Sequence, residues 1–455
     1  MKTSYDVVIV GASSAGAYFA RRMAERGFSV LMIEKETPET LSREYDVFHM
    51  GRQEMERYGL PQPQPGDGVY CFAFTDDTQF SPYGQHPKPG KTDVIGMHKN
   101  GYMLRMDAWA QAAGAEILYG ACYETALYTD GRISGVRFTL DGEAVAVGCR
   151  LLADCSGKQA VVRRSLPADY GIEQFALTAR DVFFVKLRYI KFEEPMERWL
   201  KSQFYLFYKI WIAPSDDSAD AILGVGSSCG FDVGEKFYQL FCKNVRTPPY
   251  RVVREELGTT PYHRALHSFV ADGFIAMGDA ACLTKPNNGE GTTAALALEE
   301  IAAEVAAEAM RGGAYPTRAA LWPINKRYND GQGKEFAFVL AVFARAVAHS
   351  IRMNDFLFAH DAIFSKKIIG AVGGSSGIGP GEIAKAIFFI LYGMATGNIK
   401  PKEIGGMLAG GVRGLRILLH YARYPAAPAG FPAWVKKADR LWDSVGRMAD
   451  YQIEI

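Results

Sequence analysis

Two short runs of the chain hold residue types and spacings on which chemistry can be built. The first is Gly11-Ala12-Ser13-Ser14-Ala15-Gly16, directly after the apolar run Val7–Val10. A tight glycine turn between a strand and a helix aims backbone N–H groups and a helix N-terminus at an anion, the arrangement that cradles a dinucleotide pyrophosphate. Gly11 supplies the turn and Gly16 the close approach of helix to sheet. Ser13 stands at the middle glycine of the G-x-G-x-x-G pattern, small enough for close approach and with a hydroxyl to offer phosphate. Glu34 ends the next apolar run about 20 residues on, where a ribose-binding acid belongs. The second run is Gly278-Asp279-Ala280-Ala281, after Phe274–Met277, continuing through Pro286-Asn287-Asn288-Gly289-Glu290-Gly291-Thr292. A carboxylate at a strand end can accept from ribityl hydroxyls, and a glycine-rich helix N-terminus suits the electron-rich edge of a reduced flavin. Alone, Asp279 reads as a helix cap or turn residue. Together the two runs specify FAD rather than NAD.

The elements around these runs are consistent with that role. Val7–Val10 is a short continuous apolar run, as expected of a strand buried on both faces. Ala15–Arg26 reads as a helix and Phe28–Ile33 as a second strand, giving a βαβ unit. Strands are expected at Glu116–Tyr119, Arg132–Leu140 and Leu151–Asp154, with a helix near Met106–Gly114 and a hairpin-like pair at Val69–Thr75 and Gln79–Phe80. From about 170 to 265 long alternating strands, clearest at Asp181–Ile190 and Phe204–Ile212, predict an antiparallel sheet. Thr292–Met310 reads as a helix. Beyond about 330 the pattern is helical, with glycine-rich interruptions at 370–381 and 405–414. A stretch of 455 residues calls for two or three packed units. The division expected is a flavin-binding unit over 1–68, 96–170 and 266–330, a hairpin at 69–95 that joins the substrate sheet, that sheet at 171–265, and a helical region at 331–455.

Composition narrows the function class. The chain is 48% hydrophobic and 22% charged, and Lys+Arg (51) nearly balances Asp+Glu (50), which leaves no electrostatic case for a nucleic-acid partner. Seven cysteines, without C-x-x-C spacing, argue against a disulfide framework or a metal site and fit a reducing cytoplasm. No signal peptide is expected. The longest uncharged apolar run, Ala386–Ala395, is about half the roughly 20 residues of a spanning helix, so contact with a membrane surface stays open while a span does not.

Taken together, the two runs resemble the group-A flavoprotein superfamily of p-hydroxybenzoate-hydroxylase-like monooxygenases, flavin-dependent halogenases and geranylgeranyl reductases. The resemblance implies that Asp279 contacts the ribityl and pyrophosphate region, and that Pro286, Gly289, Gly291 and Thr292 abut the isoalloxazine. Tyr102-Met103-Leu104-Arg105-Met106-Asp107 is similar to the "R-x-x-F-D" segment, which implies that Arg105 reaches the FAD phosphates; a surface salt bridge is the plainer reading. Asp154-Cys155-Ser156-Gly157, followed by Arg163, is similar to the segment whose backbone lies by the adenine. Lys35 and Cys122 are counted with the cofactor contacts, as are Ser14, Ala15 and Gly278.

Across Tyr5 to about 330 the chain looks most like the geranylgeranyl reductase branch. That implies a Rossmann-type FAD-binding α/β domain with an inserted antiparallel-sheet substrate domain and a C-terminal helical region. It also implies reduction of C=C bonds in a prenyl-type or other apolar substrate. Two departures stand out. The branch's Y-x-W-x-F-P motif reads Lys209-Ile210-Trp211-Ile212-Ala213-Pro214 here, followed by Gly224-Val225-Gly226. A lysine thus replaces the tyrosine and can face a polar or anionic substrate group. The K-P-C-G cysteine is also missing from Ser42–His49, where Asp46 and His49 are the polar candidates. Tyr205, Phe207, Lys209 and Trp211 are the expected substrate contacts, with Tyr205, Phe207 and Trp211 sharing a face. His49, Tyr208 and Glu290 are candidate proton donors, solvent being the other. Lacking a second nucleotide unit, the chain calls for an external donor, nicotinamide or ferredoxin-like. The alternatives are an FAD monooxygenase or halogenase using O2, and a flavin electron carrier without an organic substrate.

Overall fold

The computed structural model describes residues 1–455 except 43–44, 195, 206–208, 288, 344–349, 363–379 and 446–455. Two eight-stranded sheets organise it. The strands are β1 Ser4–Val10, β2 Val30–Glu34, β3 Val47–Gly51, β4 Tyr70–Phe80, β5 Lys88–His98, β6 Glu116–Tyr119, β7 Cys122–Thr129 and β8 Arg132–Leu140. They continue with β9 Glu143–Asp154, β10 Val182–Phe192, β11 Ser202–Tyr205, β12 Ile210–Pro214, β13 Ala221–Ser227, β14 Tyr250–Pro261, β15 Val270–Ala271 and β16 Phe274–Ala276.

The first sheet runs β15-β16-β9-β1-β2-β6, with β8 and β7 extending from β9. The pairs β1–β2, β1–β9, β2–β6 and β9–β16 are parallel, and the strand ends they align converge: Val10 pairs with Ile33 and with Asp154, and Ala276 with Asp154. Val7, Val8 and Ile9 are fully buried, as a continuous apolar run in a two-sided sheet must be. Helices α1 (Ser14–Ala24), α2 (Arg52–Arg57), α3 (Lys99–Gln111), α4 (Val161–Ser165), α5 (Phe231–Asn244) and α6 (Thr292–Ala309) follow in chain order. Helix α1 packs on α3 and α6 and buries its small residues Ala15, Gly16, Ala17 and Ala20, which lets the backbones approach closely.

The second sheet has the order β14-β10-β13-β12-β11-β4-β5-β3. It is antiparallel except for the parallel pair β11–β4. β3 joins this sheet although it lies within 1–68. One face buries Ile190, Tyr205, Ile210, Ile212, Leu223 and Val225 against Phe237 and Phe241 of α5. The other face carries Val47, Phe72, Leu187, Tyr189 and Ile222, with Phe74, Val185 and Trp211 beside them.

Three expectations need correcting here. The stretch Phe204–Ile212 is not one strand: Tyr205 pairs with Ile210, so β11 and β12 form a hairpin. Reversing the chain breaks the alternation on which a shared face rested, and Tyr205 and Trp211 lie on opposite faces of the sheet. The pair Val69–Thr75 and Gln79–Phe80 is one strand, β4, whose partner is β5. The glycines at 405–414 do not interrupt a helix; Pro401–Tyr421 is continuous. A Cβ at Gly414 would lie 2.6 Å from Val342 and 3.1 Å from Phe338, so this glycine serves close helix packing rather than a break.

Candidate functional site

The glycine turn after β1 has geometry that only glycine fits. Gly11 sits at φ +107°, and a Cβ there would lie 2.2 Å from the Cys155 carbonyl oxygen; one at Gly16 would lie 2.0 Å from the Gly11 carbonyl oxygen. The first intrahelical bond of α1 runs from Ala17 N–H to Ser13. The amides of Ser14, Ala15 and Gly16 therefore have no intrahelical acceptor, the usual condition of a helix start. Ser13 itself is extended, at φ −88°, so its position does not demand glycine. Glu34 accepts from the N–H groups of Ala12 and Glu36, both at 2.9 Å, which clamps the end of β2 to the turn. Lys35 beside it is exposed. Cys122 is exposed at the start of β7, next to Ala121, whose N–H bonds the Glu34 carbonyl at 2.8 Å.

The two distant runs meet at this turn. Gly278, at φ +56°, opens the 3-10 turn Gly278–Ala281, and a Cβ on it would come within 2.9 Å of the Ala15 Cβ. Arg163 fixes the junction, a role that its place in the sequence motif only hinted at. It is 1% exposed; its Nε donates to the Ala280 carbonyl at 3.1 Å, its Nη1 to that of Glu173 at 2.5 Å, and its backbone N–H to Asp154 Oδ2 at 2.7 Å. Asp154 also accepts from Ser156 N–H and Oγ, which shapes the Cys155–Gly157 bend over Gly11. Burial pushes the thiol of Cys155 well up and that of Cys282 to about 12, so both cysteines meet this region as neutral groups. Asp279 is half-buried, with Oδ1 3.1 Å from the Cβ position of Gly291, at the mouth of α6. A cradle closed by backbone at Gly11 and Gly16, two helix N-termini and two carboxylates at strand ends fits the pyrophosphate, ribose and ribityl groups of FAD. Arg105 donates to Asp67 at 2.7 Å, so it is already engaged in a salt bridge.

Past the mouth of α6 the turn meets the aromatic face of the second sheet. A Cβ at Gly289 would lie 3.6 Å from Phe183 Cδ1. Tyr262 donates its OH to the Pro286 carbonyl at 3.1 Å and packs on Phe183 with centroids 5.4 Å apart. The ring of Trp211 lies where a Cβ of Gly224 would be (2.1 Å), and that of Phe183 where one of Gly226 would be (2.4 Å). The glycine pair thus forms the floor on which both rings rest.

Comparison with known proteins agrees with this geometry. An FAD binding domain model matches residues 4–208. Digeranylgeranylglycerophospholipid reductase of Methanothrix thermoacetophila is 25% identical over 361 residues, 73% of this chain and 85% of that protein. A reductase of the same name from Methanococcoides burtonii is 24% identical over 69% of this chain and 77% of its own length. Among solved structures, a geranylgeranyl bacteriochlorophyll reductase-like protein from Thermoplasma acidophilum superposes with a TM-score of 0.69 at 18% identity, covering 86% of this chain and 99% of its own. The chain is an FAD-dependent oxidoreductase, similar in sequence and fold to geranylgeranyl reductases. A flavin-dependent brominase shares the fold, with a TM-score of 0.58 at 18% identity over 87% of this chain and 100% of its own.

The remaining candidates separate. His49, on β3, has its ring 6.5 Å from that of Phe74 and feels the charge of Glu290; burial lowers its pKa, Glu290 partly opposing the shift, so the ring is neutral near pH 7. Burial works against ionisation of Glu290, but Lys285 at 2.7 Å leads the groups that more than offset it, Thr293 at 2.8 Å among them, and hold the carboxyl below its ordinary range. Glu290 is therefore an anion near neutrality, an acceptor rather than a proton source. Trp211 and His49 share the aromatic face with Phe183. Tyr205 does not: it is fully buried on the α5 side, stacked on Phe80 at 5.1 Å and donating its OH to Gln203. Phe207 and Tyr208 lie outside the described residues.

Proposed function

We propose that the protein reduces a C=C bond of a prenyl-type or similarly apolar substrate laid along the aromatic face of the second sheet. The observation that carries this reading is the abutment of the aromatic face on the second cofactor run, Phe183 against Gly289 and Tyr262 against Pro286. The printed names of the relatives, digeranylgeranylglycerophospholipid reductases, support it. When bound, reduced FAD supplies the hydride. The chain's own part begins with Ser13–Gly16, Glu34, Ser156–Gly157 and Asp279, which hold the cofactor. The rings of Phe183 and Trp211 exclude water and orient the alkene, and the N-terminal amides of α6 stabilise negative charge beside Gly291 and Thr292. His49, neutral and on the same face, is the side chain best placed to hold a proton there. Electrons arrive from an external nicotinamide or ferredoxin-like donor.

Anaerobic photoreduction followed by rapid mixing tests the reading. Fast reoxidation by a prenyl alkene with slow reoxidation by O2 is expected. The converse, with a transient flavin C4a-hydroperoxide absorbance, would move the protein to the oxygenases and halogenases.

A lipid-soluble substrate also needs a route. Among the described residues no helix is long and apolar enough to cross a membrane. Leu408 (66% exposed), Val412, Leu415 and Leu419 form an exposed stripe along Pro401–Tyr421 at helical spacing, and Ile387, Phe388 and Leu391 are exposed on Pro380–Ala395. We place these helices on a lipid surface. Sedimentation with phospholipid vesicles is expected to carry the wild-type protein down, and L408D/L415D to lower the partition at least tenfold; equal partition of the two proteins would refute this placement.

A further inference from the structure

Lys209 has a setting that is unusual for a lysine. It lies between β11 and β12 at φ +49°, a left-handed conformation that costs a residue with a Cβ about 1–2 kcal/mol. Its carbonyl accepts from Gly226 N–H at 2.9 Å, which ties the strained turn to the glycine floor. The ammonium nitrogen is 4.6 Å from the centroid of Phe183 and 5.6 Å from that of Tyr262, the two rings that meet Gly289 and Pro286. Among the described residues no carboxylate lies within salt-bridge distance of it. Ring faces offset only part of the cost of burying an ammonium. Partial burial holds the amine down to about 8, partly opposed by Cys229, so it is mostly charged at pH 7.

We propose that Lys209 is a specificity-determining residue that binds a carboxylate carried by an otherwise apolar substrate, seating it against Phe183 and Tyr262 beside the flavin. This rests on the apolar-substrate reading above and deepens it. A single cation matches a monoanion, whereas a phosphate monoester, with close to two negative charges at neutral pH, would call for a second base.

The test is a binding titration of the FAD-loaded protein, read by perturbation of flavin absorbance, with a C20 prenyl carboxylic acid and with the primary alcohol of the same chain. The wild-type protein is expected to bind the acid at least tenfold more tightly than the alcohol. Lys209→Met should remove that preference while leaving the alcohol's affinity within about twofold, and Lys209→Arg should retain most of it. Unchanged flavin content and thermal midpoint of Lys209→Met establish that its fold is intact; a variant that loses them is replaced in the comparison by Lys209→Gln. Equal binding of acid and alcohol to the wild type, or an acid preference that survives in Lys209→Met, overturns the assignment and leaves the apolar-substrate reading standing. Failure of both ligands to bind refutes the two together.

Discussion

Gly11→Ala is expected to purify colourless. The methyl group would have to share space with the Cys155 carbonyl oxygen, 2.2 Å away, on a backbone at φ +107°. Strain of about 1–2 kcal/mol from the conformation adds to about 1–3 kcal/mol from forcing atoms into a packed site, and the cheapest relief is to move the turn off the Cys155–Gly157 bend. That bend and the α1 amides are what would meet the pyrophosphate, so FAD affinity should fall at least 100-fold, about 2.8 kcal/mol at 1.4 kcal/mol per tenfold. Flavin fluorescence quenching measures it, and circular dichroism separates loss of cofactor from loss of fold. The control is Ser13→Gly, at the position where the general pattern has glycine but where this chain is extended; it should hold flavin within about threefold of the wild type. A yellow Gly11→Ala protein with unchanged affinity would remove the cradle from the argument.

The contrast between these two positions shows what the sequence made legible. Glycine spacing after Val7–Val10 located the turn, because a buried parallel strand and the start of a helix leave few geometries between them. The convergence of Gly11–Gly16 with Gly278–Asp279 was also readable, since both follow apolar strands of one parallel sheet and such strands end on the same side. What failed was reasoning by period alone. Phe204–Ile212 is apolar and aromatic apart from Lys209, so little in its pattern marks the reversal between Tyr205 and Ile210, which was enough to send Tyr205 to the α5 face. The strand Cys122–Thr129 was missed because all but one of its residues are exposed or half-exposed and it lacks an apolar run. Glycines at 405–414 suggested a break, whereas the helix Pro401–Tyr421 is continuous and Gly414 lets it press on Phe338 and Val342. Arg163 was marked by its motif but not as a fastening of the site, and Tyr262 was not marked at all, because their partners, the carbonyls of Ala280 and Pro286, leave no trace in residue type.

The second large effect concerns a carboxyl group that local pattern would have made apolar. Helix α6 buries Ala295, Glu299, Ala302, Ala303 and Ala306 along one stripe, and Glu299, 1% exposed, has no hydrogen-bond partner for either oxygen among the described residues. Its neighbour Glu300 faces outward to Tyr18 and Arg22. Burial pushes Glu299 up to about 8, so it is folded in as the neutral acid. The sign follows from linkage: between the ordinary carboxyl range near 4.5 and about 8 the unfolded chain has released a proton that the folded chain still holds, so stability falls as pH rises through that window and levels off above it. Glu299→Gln, neutral at every pH, should therefore match the wild type near pH 4.5 and exceed it by roughly 3 kcal/mol at pH 7, at about 1.4 kcal/mol per pH unit. Thermal unfolding of both proteins from pH 5 to 9 checks this; a difference that does not grow with pH would mean that Glu299 has a partner or reaches water. The position has a consequence for the cofactor as well. The charge of Glu299 is felt at Cys155, which lies against Gly11, so ionising it would put a negative charge behind the cradle for a pyrophosphate. FAD affinity should weaken above pH 8 in the wild type and hold steady in Glu299→Gln, because a helix N-terminus attracts an anion only while nothing beneath it repels one.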